Sequence, residues 1–478
     1  MVLENLEPKL VWDIFENILT KTPRCSKHEE KIRAAIREWV SKHEGLSVTE
    51  DSTGNLVIKK PATKGMESCP QLMFQAHMDM VCETDRDEGF DFDNNPIPVR
   101  IMDDDEWVDA DGTTLGADDG IGVALSLALL ADESVKHGPL EVLITVDEET
   151  GLTGAFGLDT DVHDLQSRLM VNIDSEELGA MTIGSAGGGS VIMERDLTFS
   201  APKDDLYFIE LKVSGLLGGH SGLDIHRPRG SANKVAARLL ARLARDMEVY
   251  ISDWNGGTKH NAITRESTTV IAVPSEMKSK LEDVLAEERD LYLAYYKNDL
   301  EPLEPDLFIE WAEGKTRDIL SLEESTNIIK TANAIPHGVK RFTPSIPDLT
   351  ETSCNFGIIK IEDKKMTFHL SNRSSVASEL DILRDSLVDI GTMGGWRVEK
   401  GGTYPGWKPE PKNEFLQFVK KNYESVYGKE VKLEALHGGL ETGVIGGKIP
   451  GISMVSIGTT LKDVHTPDER INIASVAA

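Results

Sequence analysis

The sequence predicts an α/β domain, a sheet covered by helices, interrupted by an inserted α+β domain. Continuous Val/Ile/Leu runs alternate with helical stretches towards both ends of the chain, as in a sheet buried on both faces. The middle of the chain shows alternating strands and amphipathic helices instead. Acids and histidines gather where the apolar runs stop, and strand ends are where open α/β sheets build their sites.

Ser26-Lys27-His28-Glu29 has the form of a capping box. Ile32, Ile36, Trp39 and Val40 then recur at helical spacing until Gly45 supplies a stop. Residues 72–81 read as a buried strand ending in polar residues, and 120–132 as a buried helix. Residues 140–149 read as a strand ending in acids, 169–177 repeat that design, and 451–460 form one more buried strand. Between them, 208–222 alternate like a half-buried strand, 231–247 read as an amphipathic helix, and 278–300 as a second, highly charged one. Short strands and Pro-rich turns are expected from 300 to 380. The edges of the insert fall near 190–205 and 385–405. That assigns 1–195 and 396–478 to the first domain and 196–395 to the insert. GSAGGGS (184–190) lacks the Lys-Ser/Thr of a phosphate loop and is read as a turn near the junction.

A chain of 478 residues exceeds a single core; at about 150 residues per domain it holds two to four. With 40% hydrophobic and 28% charged residues, it is an ordinary globular composition. The net charge of −30 opposes phosphate backbones and anionic membranes, so neither nucleic acid nor membrane is an expected partner. The N-terminal stretch is acidic and broken by Pro8, unlike a signal peptide, and no run of about 18 apolar residues occurs. Cys25, Cys69, Cys82 and Cys354 form no CxxC pair, which fits a reducing compartment; the expected location is cytoplasmic. Cys82, close to His77, is read as a packed thiol.

The chemistry lies in a set of residues rather than in any one. His77 and Asp79 occur in QAHMDMV, Asp118 and Asp119 in GTTLGADDGIG, Glu148 and Glu149 in LEVLITVDEE, Asp174 in LMVNID, and His465 in DVHTPDERI. Singly, Asp118 and Asp119 would cap the helix that follows, and Glu148 and Glu149 would be a turn. Together, several carboxylates at strand ends are costly to bury unless a cation neutralises them. Histidine with carboxylate suits zinc, or manganese and cobalt. A two-metal site needs a bridging carboxylate and a base free of metal, and the adjacent Glu148 and Glu149 divide naturally between base and ligand. Asp79, two residues after His77 on a strand, faces the same side and suits the second imidazole N–H.

HMDMV, GTTLGADDGIGVA, DEETGLTGA, NIDSEE, GGHSG, HGGLETG and VHTPDE occur in that order along essentially the whole chain. In this the sequence resembles the aminoacyl-histidine dipeptidases. These are a branch of the co-catalytic zinc metallopeptidases, the wider group that includes carboxypeptidase G, peptidase T and peptidase V. The resemblance implies a zinc-peptidase catalytic domain with a helix-covered mixed sheet, interrupted by an α+β lid domain. It implies two Zn2+ per chain, with Co2+ or Mn2+ as substitutes. Asp118 would bridge the metals, His77 and Asp174 would complete one, and Glu149 and His465 the other. Glu148 would be the general base and later the proton donor, with Asp79 orienting His77. A cis peptide is implied between Asp118 and Asp119.

The same resemblance makes His220 of GGHSG the lid histidine that stabilises the oxyanion, with Gly218 and Gly219 allowing close backbone approach. His260 and Asn261 of KHNAIT and Arg373 of SNRSS are lid candidates for the substrate backbone and its terminal carboxylate. His437, Gly438, Gly439 and Glu441 resemble a substrate loop, in which Glu441 would pair with a free α-amino group. The other histidines, among them His226 and His337, are left as surface or core residues. The expected reaction is hydrolysis of Xaa-His and other dipeptides such as β-alanyl-histidine. The rivals are a tripeptidase, a carboxypeptidase, an N-acyl amino acid deacylase, and a catalytically silent binding protein. A small peptide is the expected partner, and a homodimer is left open.

Overall fold

The computed structural model describes residues 2–202, 205–298 and 300–478, and counts and absences refer to those residues. The chain divides into two compact units. The first comprises Met1–Gly184, Trp407–Ala435 and Leu440–Ala478; the second comprises Ser185–Gly406 and Leu436–Gly439. No helix among the described residues is long and apolar enough to cross a membrane.

The first unit is built on an eight-stranded sheet. Its order is Ser47–Glu50, Leu56–Lys60, Leu140–Thr145, Leu72–His77, Leu169–Asn172, Ser453–Ser456, Ala180–Ser185, Lys432–Leu436. The centre is parallel and the flanks are antiparallel, so the sheet is mixed. Leu140–Thr145 is buried at every position, including Glu141, whose carboxylate accepts from Gln166 N at 3.2 Å and Ser167 N at 3.0 Å. His77 pairs with Thr145 and Gln75 with Asn172, so the parallel strands end together and deliver their polar residues to one edge. Helix Ala117–Ala131 packs on Leu72–His77 and is buried on nearly every side, in keeping with its lack of a polar face.

The expected capping box does not form. Helix Glu30–Ser41 starts after Glu29 without a side-chain cap. Ser26 Oγ donates instead to Asp79 Oδ2 at 2.8 Å, and Glu29 Oε1 accepts from the N–H groups of Lys27 at 2.7 Å and Asp147 at 3.1 Å. Long-range partners have taken both ends of the box. Cys82 is likewise not a packed thiol: it is disulfide-bonded to Cys25, while Cys69 and Cys354 are free. The cysteines therefore do not argue for a reducing compartment.

The second unit contains a nine-stranded antiparallel sheet. Its order is Phe308–Glu313, Leu206–Ser214, Ser267–Pro274, Tyr250–Gly256, Thr350–Glu362, Lys365–Ser374, Gly187–Asp196, Arg397–Tyr404, with Gly338–Phe342 beside Thr350–Glu362. Helices Ala232–Leu243 and Leu322–Ala334 pack on each other, and Leu239, Leu240, Ile328 and Ile329 join one core. Residues 300–380 contain Leu322–Ala334 and two long strands rather than only short strands and turns. Ser321 caps that helix by accepting from Glu324 N at 3.1 Å, a start signal the sequence does display. GSAGGGS is not a turn: strands Ala180–Ser185 and Gly187–Asp196 run through it. Of the charged helix expected at 278–300, Lys278–Tyr296 is helical; Asp299 lies outside the described residues, as do Lys203 and Asp204 near one expected edge.

Candidate metal centre

The first unit brings all of its expected ligands to one sheet edge. His77 ends strand Leu72–His77, Asp174 follows Leu169–Asn172, and Glu148 and Glu149 follow Leu140–Thr145. Asp118 sits in the non-helical start of Ala117–Ala131, and its peptide to Asp119 is cis. His465 lies on the loop after Leu461–Lys462, at a positive φ of 63°.

Asp118 is the centre of the arrangement. Its Oδ1 lies 3.1 Å from His77 Nε2, and its Oδ2 lies 3.1 Å from His465 Nε2. Asp174 Oδ1 is 3.5 Å from the same His77 nitrogen, and Glu149 Oε1 is 2.9 Å from that of His465. One carboxylate thus faces two half-sites, each completed by one imidazole and one further carboxylate. Donor atoms of His77, Asp118 and Glu149 all lie within 4.8 Å of one another.

The electrostatics show what this grouping lacks. Burial pushes Asp174 up to about 6, and it pushes Glu148 well above the usual carboxylate range, with Asp174, Glu441 and Glu149 adding repulsion. Burial opposes a charged His77, yet Asp174, Asp118 and Asp79 draw its ring well above the ordinary value. Hydrogen bonds to Asp118 and Glu149 raise His465 to about 11. The imidazoles are being recruited as counter-ions to a cluster of carboxylates. Divalent cations would neutralise the cluster and free both rings to coordinate, so this donor set fits a metal pair.

Around the ligands lies a supporting layer. Asp79 Oδ1 is 3.3 Å from His77 Nδ1, and its carboxylate also accepts from the N–H groups of Glu148 at 3.0 Å and Glu149 at 3.3 Å. One side chain therefore orients a ligand and the paired glutamates together. Asp119 Oδ2 accepts from His77 N at 3.2 Å. Glu469 accepts from four successive N–H groups, Leu115, Gly116, Ala117 and Asp118, at 2.7–3.3 Å. Arg24, wholly buried, donates to the carbonyls of Met78, Asp79 and Gly116. Glu29, Asp79 and Asp147 form a second close acidic group, but it includes no histidine, Glu29 and Asp79 hold backbone N–H groups, and Asp147 accepts from Thr150 Oγ1. Sequence reasoning missed Glu469, Arg24 and Ser26. Glu469 does stand within the VHTPDE motif, whereas nothing local marks the other two.

Glu441, 1% exposed, begins helix Glu441–Lys448. Its Oε2 accepts from Gln75 Nε2 at 2.6 Å and Thr145 Oγ1 at 2.7 Å, while Oε1 has no hydrogen-bond partner among the described residues. Burial pushes it up to about 8.

The second unit gathers the remaining candidates. Arg373 is buried and donates from Nη1 to Tyr404 Oη at 2.6 Å, and its Nη2 lies 3.3 Å from His220 Nε2. No carboxylate pairs with this guanidinium among the described residues. Burial, with Arg373 beside it, lowers His220, and Leu223 N donates to its Nδ1 at 3.2 Å. His437 Nε2 lies 2.8 Å from Ser353 Oγ, and burial holds His437 to about 3. His260 stacks on His369 with centroids 4.6 Å apart. The Asn261 carbonyl accepts from Ser221 N at 2.8 Å. A Cβ at Gly439 would lie 3.0 Å from the Tyr404 ring, so a larger residue there needs that ring to give way by a few tenths of an ångström.

Comparison with known proteins agrees with this geometry. The sequence profile described as "Peptidase family M20/M25/M40" matches residues 73–478. The chain is 39% identical over 475 residues to the cytosol non-specific dipeptidase of Escherichia coli (strain K12), covering 99% of this chain and 96% of that protein. Its structure is similar to that of an aminoacylhistidine dipeptidase from Vibrio alginolyticus, with TM-score 0.92, 38% identity, and coverage of 99% of this chain and 95% of that one. The aminopeptidase PepT of Bacillus cereus shares the fold at TM-score 0.55 and 18% identity, covering 99% and 95%. A profile match across most of the chain and a relative of this identity, joined to two half-sites around one aspartate, show that the chain belongs to peptidase family M20/M25/M40.

Proposed function

We propose that this family member is a metal-dependent dipeptidase acting on Xaa-His and related dipeptides, with zinc as the metal pair. The observation that carries the reading is Asp118, whose two oxygens each face one imidazole at 3.1 Å. The names of the Escherichia coli and Vibrio alginolyticus relatives support the dipeptide substrate. The first of those names supports a cytoplasmic location.

In this reading Asp118, His77, Asp174, Glu149 and His465 would hold the pair, with Asp118 shared between the two half-sites. When bound, the pair supplies Lewis-acid polarisation of the carbonyl and a lowered pKa for water. Glu148 takes the proton of the attacking water and returns it to the leaving amine. Asp79 holds His77 through Nδ1. His220 donates its one N–H to the developing oxyanion. Arg373, buried without a carboxylate, receives the substrate's terminal carboxylate. Glu441 takes the α-amino group through its free oxygen, and His260, Asn261 and Gly439 line the peptide backbone.

The test is hydrolysis of β-alanyl-histidine by metal-stripped protein, before and after zinc. Activity that returns only with zinc is expected. Glu148→Gln should keep two metals yet lose at least about 10²-fold in turnover. A Glu148→Gln enzyme of normal activity would overturn the assignment of the base.

A further inference from the structure

A cavity of about 260 Å³ lies wholly within the second unit, at the start of helix Ala232–Leu243. Its lining shares no residue with the Arg373–His220 cluster. Arg227, Arg229, Lys234 and Arg238 line it, with His226 and His337, and no aspartate or glutamate does so. In a chain with 81 acids against 51 bases, a wall of that composition stands out from the rest of the molecule. Its other walls are aromatic or apolar, including Tyr296 and Phe342. Past Arg238 and Tyr296 it adjoins a second cleft of about 460 Å³, lined by Tyr292 and Tyr295.

Ser231, Lys234, Val235 and Arg238 follow helical spacing, so one face of the helix forms a wall. Ser231 stands at the N-cap but makes no cap hydrogen bond. It is 3% exposed, and its Oγ has no partner among the described residues. A buried hydroxyl without a partner is costly, and here it lines a cavity where a ligand can satisfy it. The first-turn N–H groups of a helix add positive potential at the same place.

The cations are not all free. Arg229 Nη2 lies 3.2 Å from Asp224 Oδ1, and Arg227 Nε lies 3.4 Å from it, so one carboxylate serves two guanidinium groups. Lys234 Nζ donates to the carbonyls of Ala332, Asn333 and Ile335. Arg238 lines both clefts, with Tyr292 beside it in the second, and has no carboxylate partner among the described residues. Positive charge remains in excess. In agreement, burial and then Arg238 lower Lys234 to about 8, and burial and then Lys234 lower His337 to about 4.

We propose that this cavity binds a small organic anion, with its head on Arg227, Arg229, Arg238 and Ser231 and an apolar body against Tyr296 and Phe342. Phosphoryl and carboxylate heads share the required chemistry, since guanidinium groups and helix N-termini take either.

The test is calorimetric titration of the metal-loaded full chain with three probes: phenyl phosphate, 3-phenylpropionate and inorganic phosphate. Saturable binding of at least one phenyl anion is expected, tighter than inorganic phosphate. The phosphate and carboxylate arms identify the head. Arg238→Glu should weaken that binding at least about tenfold while dipeptide hydrolysis stays within about twofold. Arg238→Gln, which keeps most of the side chain, should weaken it less and serves if the charge reversal does not fold. An anion held by the metal centre would bind both variants as it binds the parent. Binding unchanged in both variants, or no saturable binding of any probe, overturns the proposal.

Discussion

Asp51 shows how a single buried carboxylate can be held charged without a cation. Burial opposes its ionisation, but His163 Nε2 at 3.3 Å and hydrogen bonds from the Asn55 side chain and from the N–H groups of Asp159 and Asn55 outweigh that and hold its pKa well below the usual range. A depressed folded pKa means the contribution is complete above the unfolded value of about 4 and is lost as pH falls from there through the folded value. Asp51→Ala should cost about 3 kcal/mol at pH 7, measured by urea unfolding, and the gap to the parent should narrow below about pH 4. The proposed metal ligands and Glu148 lie at the opposite extreme, with carboxylates crowded beyond what two imidazoles offset. The grouping of these side chains was legible in the sequence because each sits in a short local motif, at the end of a strand or just before a helix. Arg24 and Ser26 were not, because their partners, Gly116 for one and Asp79 for the other, are distant in the chain.

Glu469 acts at the scale of the element. By accepting four successive N–H groups it gathers the turn that enters helix Ala117–Ala131, and so aims Asp118. Glu469→Ala should weaken zinc binding by about 10–100-fold in chelator competition, although Glu469 is not a ligand in this assignment. The disulfide also joins elements, tying the segment before helix Glu30–Ser41 to the chain after Leu72–His77. Thiol titration of the denatured, unreduced protein should find two free groups, Cys69 and Cys354, and four after reduction. At this scale, continuous apolar strands were legible because burial on both faces leaves no alternation to misread. The capping box failed because Asp79 and Asp147 outbid local capping for Ser26 and Glu29. Helix Leu322–Ala334 was missed because its Thr, Asn and β-branched residues blur the helical period, although Ser321 marks its start.

For the whole molecule, the proposed metal ligands all belong to the first unit, and the arginine cluster belongs to the second. Ligand binding stabilises the state that binds, by about 2.7 kcal/mol when metal exceeds its dissociation constant a hundredfold. Scanning calorimetry should therefore show that chelation lowers the transition of the first unit and leaves that of the second in place. A uniform shift of a single transition would mean that the units unfold as one. The sequence expects an insertion from the change of pattern between the ends and the middle of the chain. The assignment of Leu436–Gly439 to the second unit was not, because a few residues between two longer stretches of the first unit carry no compositional mark.

The strand order has a consequence for biosynthesis. Ser453–Ser456 lies between Leu169–Asn172 and Ala180–Ser185, strands translated long before it. A nascent chain must keep that slot open, with apolar edges unpaired, while the whole of the second unit emerges from the ribosome. His465 follows still later, so a chain broken off before it lacks one of the two imidazoles that face Asp118.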